Sequence, residues 1–238
     1  MHGFIGEFMG TFTLIALGVG TGAEVNLKRT EGCHSNWNFI TFTWGLAFAF
    51  AIYVAGSFGS EAHLNPAVTI AFALYNKLPA NDVLPYLAGQ FLGAFCGAAA
   101  AAIHYWQHFK ATKTKEDGNV VGIFATGPAI YSPINNLMNE IFDTFILVFV
   151  LLNLGKFTVG LQPLIIGLMV MMIGNSLGGT TGFSMNPARD LMPRLAYTIL
   201  PIPNKTDANW GYAWIASVGP MIGAIIAVGA HKLIHQFL

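Results

Sequence analysis

Long apolar runs broken by short polar interruptions divide the chain into six stretches of a length that suits one membrane crossing each. They lie at about 3–22, 39–55, 84–106, 134–154, 161–177 and 212–233. A helix rises about 1.5 Å per residue, so roughly 20 apolar residues cross a hydrocarbon layer of about 30 Å. Two further apolar segments are too short for that. The first, about 66–75, follows His63-Leu64-Asn65-Pro66-Ala67-Val68-Thr69-Ile70, and the second, about 187–196, follows Phe183-Ser184-Met185-Asn186-Pro187-Ala188-Arg189-Asp190. Each opening is a helix start: Asn is a favoured N-cap, and Pro at the first helical position has no N–H to leave unpaired. Asn76, Lys77 and Pro79 close the first segment, and Pro201 and Pro203 close the second. Roughly 10 residues reach about 15 Å, half of the layer.

The pattern occurs twice. Gly6 to Phe12 in the first stretch matches Asn139 to Phe145 in the fourth, Gly45-Leu46 matches Gly167-Leu168, and Gly89 to Ala94 matches Gly219 to Ala224. Residues of about 1–107 and 134–238 are thus repeats within one domain of 1–238, joined by the loop 108–133. Three full spans per repeat is an odd number, so the second repeat enters the membrane inverted. The two half-helices then dip in from opposite faces and meet N-terminus to N-terminus near the midplane. Non-helical backbone at that depth is tolerated where it is buried or lines a water-filled cavity. The expected fold is all-α and integral to the membrane, with six transmembrane helices and two re-entrant half-helices. The small residues Gly89, Gly93, Ala94, Gly97 and Ala98 predict close helix packing.

Composition agrees. The chain is 54% hydrophobic and 9% charged, against about 25% charged in soluble domains. The first apolar stretch carries Glu7 and reads as a permanent span, not a cleaved signal. Zero formal net charge and no dense basic cluster exclude a nucleic-acid partner. Cys33 falls in a polar connection and Cys96 in an apolar span, so neither a disulfide nor a metal site is expected. No nucleophile–base pair, metal spacing or phosphate loop supports an enzyme, and no cofactor is implied. Inverted repeats with broken helices also build secondary transporters. That reading needs a coupling group at the midplane, where this chain offers two Asn and helix ends whose sign repels cations.

The doubled Asn-Pro-Ala, the Glu-x-x-x-Thr start of each half and the paired Gly-Leu spans resemble the aquaporin superfamily, the major intrinsic proteins. Asn186-Pro187-Ala188-Arg189-Asp190, with Arg194 four residues after Asp190, resembles the glycerol uptake facilitator (aquaglyceroporin) branch. The resemblance implies a passive multi-pass channel of the cell membrane for glycerol and similar small uncharged solutes, with water, that excludes ions and protons. It also implies a homotetramer in the lipid bilayer with one pore per subunit, and both termini in the cytoplasm. A water-selective or lactic-acid-permeable pore is the alternative within the family.

The resemblance assigns the pore lining to Asn65, Asn186, Trp44, Gly174, Phe183 and Arg189. The caps leave both Asn carboxamide NH₂ groups free to face the pore. Arg at membrane depth is costly and is by default a functional candidate. Gly174, where water-selective members carry His, leaves space, while Trp44 and Phe183 offer apolar faces to a polyol's carbon backbone and Arg189 offers donors to its hydroxyls. Taken alone, a Trp near a span end such as Trp44 is more often a lipid-facing or interface-belt aromatic. Glu7, Glu140, His63 and Asp190 are expected to support the pore, the two glutamates by accepting bonds from the backbone that leads into each half-helix. The stretch 124–128 resembles one whose carbonyls brace the constriction. The cations pull the other way on orientation. Lys77, Lys156 and Lys232 would lie inside and Lys28, Arg29, Lys110, Lys113, Lys115 and Lys205 outside, opposite to the positive-inside rule. Glu61, in the first lead-in, reads either as a charge at the inner mouth or as a solvated loop residue.

Overall fold

The computed structural model describes residues 2–112, 120–203 and 205–237; Lys113, Lys115, Glu116 and Asp117 of the long connection lie outside them. Among the described residues every regular element is a helix, and none is a strand. The first repeat consists of α1 (His2–Asn26), α2 (Trp37–Ser57), α3 (Pro66–Leu74) and α4 (Ala80–His104). Two short helices, α5 (Trp106–Ala111) and α6 (Val120–Phe124), belong to the connection. The second repeat follows as α7 (Pro133–Asn153), α8 (Gln162–Ser176), α9 (Pro187–Ile199), α10 (Trp210–Ala213) and α11 (Ile215–His235). Among the described residues, five helical segments are long and apolar enough to cross a membrane by themselves. The fifth predicted span, α8, has 15 residues, or about 22 Å. It nonetheless connects the two ends of the molecule, as the cavities described below require. The second half-helix has 13 residues, three more than the pattern indicates. It continues until Leu200, whose place before Pro201 favours extended backbone, and Leu200 is extended at ψ 146°.

The repeat is visible in how the helices touch. Within a bilayer no hydrophobic drive separates helix from lipid, so association depends on close packing of small residues. A Cβ added at Gly89 or Gly97 of α4 would stand 2.6 Å from the carbonyl oxygens of Phe4 or Phe12 on α1, and one at Gly93 would meet that of Phe8. The second repeat makes the same contact, with Gly223 of α11 against the carbonyl of Ile141 on α7. Between the repeats, Gly45 of α2 and Gly167 of α8 lie face to face, each closed off by the other's carbonyl oxygen. These equivalences are the ones that the internal repeat pairs in sequence.

Burial is inverted relative to a water-soluble protein. Leu84, Ile103, Ile134 and Met172 are exposed, whereas Glu7, Glu140, Asp190 and Arg194 are wholly buried. Large apolar side chains on the outside and charges within are what a hydrocarbon solvent selects.

Packing this close makes a direct prediction. Gly93→Val has to displace the α1 backbone, an overpacking cost of about 1–3 kcal/mol or more. Gly56, where an added Cβ would have no neighbour within 4 Å, should accept Ala with no loss of stability. Thermal unfolding in detergent, followed by intrinsic fluorescence, should fall clearly for Gly93→Val and hold for Gly56→Ala.

Candidate functional site

The two half-helices start where their sequences say. Asn65 is extended and its Oδ1 accepts from the Ala67 N–H at 2.8 Å. Asn186 Oδ1 accepts from the Ala188 and Arg189 N–H groups at 3.0 and 3.2 Å. The carboxamides do more than cap. Asn65 Nδ2 donates to the Met185 carbonyl at 2.8 Å, and Asn186 Nδ2 donates to the Leu64 carbonyl at 2.7 Å. Each half-helix is therefore tied to the residue that precedes the other's cap. This corrects the expectation of wholly free NH₂ groups: the cross-repeat bond uses one hydrogen of each, and one remains. The two N-terminal ends, each carrying roughly half a positive charge, face one another.

The peptides feeding these caps are held by the two buried glutamates. Glu7 Oε1 accepts from the His63 N–H at 2.8 Å and the Ser60 hydroxyl at 2.6 Å; its Oε2 accepts from the Leu64 N–H and Gln90 Nε2, both at 2.7 Å. Glu140 accepts from the Ser184 N–H at 3.0 Å and the Met185 N–H at 2.9 Å. Leu64 and Met185, equivalent in the repeat, have φ of 54° and 49°, and Ala62 and Phe183 are also left-handed. Such backbone costs free energy in non-glycine residues and persists only when its surroundings hold it. Here the holding groups are carboxylates accepting consecutive N–H groups. His63 adds a ring packed between Phe72 and Tyr86, with centroids 4.9 and 5.0 Å away, and Nδ1 lies 3.2 Å from the Thr69 hydroxyl.

A cavity opens on each side of this junction. One, of about 220 Å³, is lined by Trp44, Phe183 and Arg189 together with Asn26, Ala125 and Thr126. The Arg189 guanidinium lies over the Trp44 ring at 4.1 Å and donates to the Phe124 carbonyl at 3.3 Å. Trp44 is 3 % exposed, its indole filling the space that Gly18 leaves on α1; it does not face lipid. Gly174 is not among the lining residues. Its missing side chain makes room for Phe183, whose ring atoms lie 3.1 and 3.2 Å from where a Cβ would stand, with Thr41 at 2.9 Å. The space expected at Gly174 is thus occupied by a neighbouring ring. The other cavity, about 250 Å³, is lined by Asn65, His63, Val68 and Phe72, and Glu61 and Lys77 stand at its exposed edge. Gln162 and Val170 of α8 line it too, while Gly174 abuts Phe183 at the first cavity, so this short helix bridges the two.

Asp190 holds the loops around Arg189. It pairs with Arg194 at 2.7 Å, both side chains fully buried, and accepts from the Thr126 N–H and hydroxyl at 2.8 and 2.7 Å. Arg194 donates onward to the carbonyls of Thr126, Ala208 and Asn209. A buried pair is tolerable only when its remaining donors and acceptors are satisfied, and this one spends them on two separate loops. Sequence reasoning missed Gly18, Thr41 and Gly178. No local pattern marks the two glycines, because Gly18 yields its space to Trp44 and Gly178 to Phe183, rings that reach them only through the folded packing.

Comparison with known proteins gives a consistent picture. The family model described as Major intrinsic protein matches residues 1–231. The chain is similar to "Glycerol uptake facilitator protein 2" of Lactiplantibacillus plantarum, 60% identical over 98% of this chain and 100% of that protein. It is similar at 37% identity, over 95% of each chain, to the "D/L-lactic acid transporter" of the same organism. Among solved structures it resembles the X-ray structure of the aquaglyceroporin from Plasmodium falciparum, with a TM-score of 0.83 and 32% identity over 96% of this chain and 93% of that one.

The glutamate contacts generate the next prediction. In Glu7→Gln an NH₂ group replaces one acceptor oxygen and confronts donors it cannot satisfy, at about 1–3 kcal/mol for a buried group. Thermal stability should drop in a detergent melt, because the His63 and Leu64 N–H groups lose an acceptor. Unchanged melting would place the lead-in's support elsewhere.

Proposed function

The chain belongs to the major intrinsic protein family, and on that premise we propose that it is a passive channel for glycerol and similar small uncharged solutes, with water, that excludes ions and protons. The observation that carries the reading is the cavity where Arg189 faces Trp44 and Phe183. A solute entering a narrow passage gives up its water. Arg has five N–H donors in a fixed fork, of which one is spent on Phe124, so several remain to replace lost hydration at the solute's hydroxyls. The two aromatic faces meet its C–H groups. Beyond the constriction, the remaining N–H of Asn65 and of Asn186 is the next pair of donors. The permanent charge of Arg189 and the two opposed helix ends oppose cations, as pore-lining dipoles do elsewhere. Within this reading Asn65, Asn186, Trp44, Phe183 and Arg189 line the pore, and Gly174 acts indirectly by seating Phe183. Glu7, Glu140, His63 and Asp190 support it.

A second reading has its own observation, the 37% identical relative named as a lactic acid transporter. Undissociated lactic acid also pairs polar groups with a small apolar face. Stopped-flow light scattering on proteoliposomes, with glycerol, lactic acid and water side by side, separates the two, and an entrapped pH dye reports proton leak. Glycerol should pass, without ion current or acidification. In Gly174→His the new side chain pushes Phe183 toward Arg189, and glycerol flux should fall by about tenfold, or about 1.4 kcal/mol on the barrier. Water flux should fall much less. Equal loss of both would leave Gly174 a packing residue only, and absent glycerol flux in the wild type would overturn the reading.

We place both termini in the cytoplasm and the protein in a homotetramer in the cell membrane. The structure supports a common side for the termini: Gly3 packs on Tyr86, and the Tyr75 hydroxyl lies 3.1 Å from His231 Nδ1, both near the His63 cavity. Family resemblance supports cytoplasm over the contrary lysine distribution, and also the tetramer. A cysteine appended to the chain, with Cys33 and Cys96 replaced by Ser, should resist impermeant maleimide on intact cells and react after lysis. Native mass spectrometry should give four copies.

A further inference from the structure

The aromatic wall opposite Arg189 is not self-supporting. Phe183 sits in a loop, at φ 42°, and Gly174 and Gly178 present it with backbone and no side chain. A ring resting on two glycines has room to move unless something closes its other side. Trp37 does so. It is the first residue of α2, set there by Asn36, whose Oδ1 accepts from the Phe39 N–H at 3.1 Å. Its ring meets Phe183 edge-on, with centroids 5.8 Å apart and planes at 86°. Its indole N–H donates to the Gly174 carbonyl at 3.0 Å, and Thr41, one turn on, donates to Asn175 Oδ1 at 2.9 Å. Trp37 also lines the Arg189 cavity.

A half-exposed Trp at a helix start ordinarily anchors a span at the membrane interface. In this chain both of its capabilities are committed inward, the N–H to α8 and the ring edge to Phe183. Edge-to-face aromatic pairs have a preferred geometry, so the contact fixes the orientation of the Phe183 ring, and the hydrogen bond fixes the α8 turn on which that ring rests. We infer that Trp37 is a positioning residue for the constriction, holding Phe183 at its distance from Arg189 and so setting the largest solute that passes. The inference rests on the channel reading above. It assigns to Trp37 no contact of its own with the solute in the narrowest part.

The test compares wild type, Trp37→Ala and Trp37→Phe in proteoliposomes, measuring flux of glycerol, of a five-carbon polyol and of water. Trp37→Ala removes ring and N–H together; Trp37→Leu replaces it if the alanine variant is not recovered folded. Trp37→Phe keeps an aromatic edge. Losing the brace should raise the ratio of five-carbon polyol to glycerol flux by about threefold or more, and Trp37→Phe should restore at least half of the difference. A second readout needs no solute. With 3-fluorophenylalanine placed at position 183, ¹⁹F NMR should show separate lines for the two ring orientations in wild type and averaged or broadened lines without Trp37. If wild type passes glycerol and the ratio stays unchanged in Trp37→Ala, the positioning role is overturned. If wild type passes no glycerol, the channel reading falls, and the fluorine spectrum alone decides: altered lines support the brace, unaltered lines overturn it.

Discussion

The structure depends on two carboxylates buried in apolar helices. An unpaired charge in such a place is expensive, and the cost is met only when hydrogen-bond donors surround it. Glu7 and Glu140 find those donors in the backbone of the segments leading into the half-helices. The requirement runs both ways. The lead-ins are irregular, with left-handed residues at Ala62, Leu64, Phe183 and Met185, and their N–H groups have no helix to satisfy them. Each glutamate solves its own solvation problem and that of a peptide segment at once.

From this follows the placement of the rest. A lead-in held by its glutamate presents one carbonyl, Leu64 or Met185, to the Asn of the opposite repeat. The reciprocal pair of bonds locks the two half-helices tip to tip. Arg189, three residues past one cap, then comes to lie over Trp44. The Asp190–Arg194 pair fastens the loops that complete its surroundings. Coupling of this kind is cooperative: removing one member leaves another with an unmet donor or acceptor, so the penalties do not add as independent terms.

Glycine works at two scales here. Along α4 and α11 it lets backbones approach, which in a bilayer is the main source of helix association. At Gly18, Gly174 and Gly178 it does something different, yielding its volume to an aromatic ring from another segment. The walls of the Arg189 cavity are therefore shaped as much by absent side chains as by Trp44 and Phe183.

How much of this was legible in the sequence differs by level. Apolar runs of 20 residues, caps at Asn65 and Asn186 and an odd number of spans per repeat determine an inverted membrane bundle, because the constraints behind them, hydrogen-bond satisfaction and bilayer thickness, act locally along the chain. The doubled motif also exposed Glu7, Glu140 and Arg189, since charges in apolar stretches are conspicuous one residue at a time. What only the tertiary structure decided were contacts between segments far apart in sequence. Trp44 alone could face lipid or cavity; Gly18, 26 positions earlier, makes the difference. Gly174 read as an opening until Phe183 was seen to occupy it. The second task of each Asn, donating to the other repeat's backbone, depends on two helices meeting end to end. A side chain's identity states what bonds it can make; which partner it meets is set by packing at a distance, and one chain carries no local record of that.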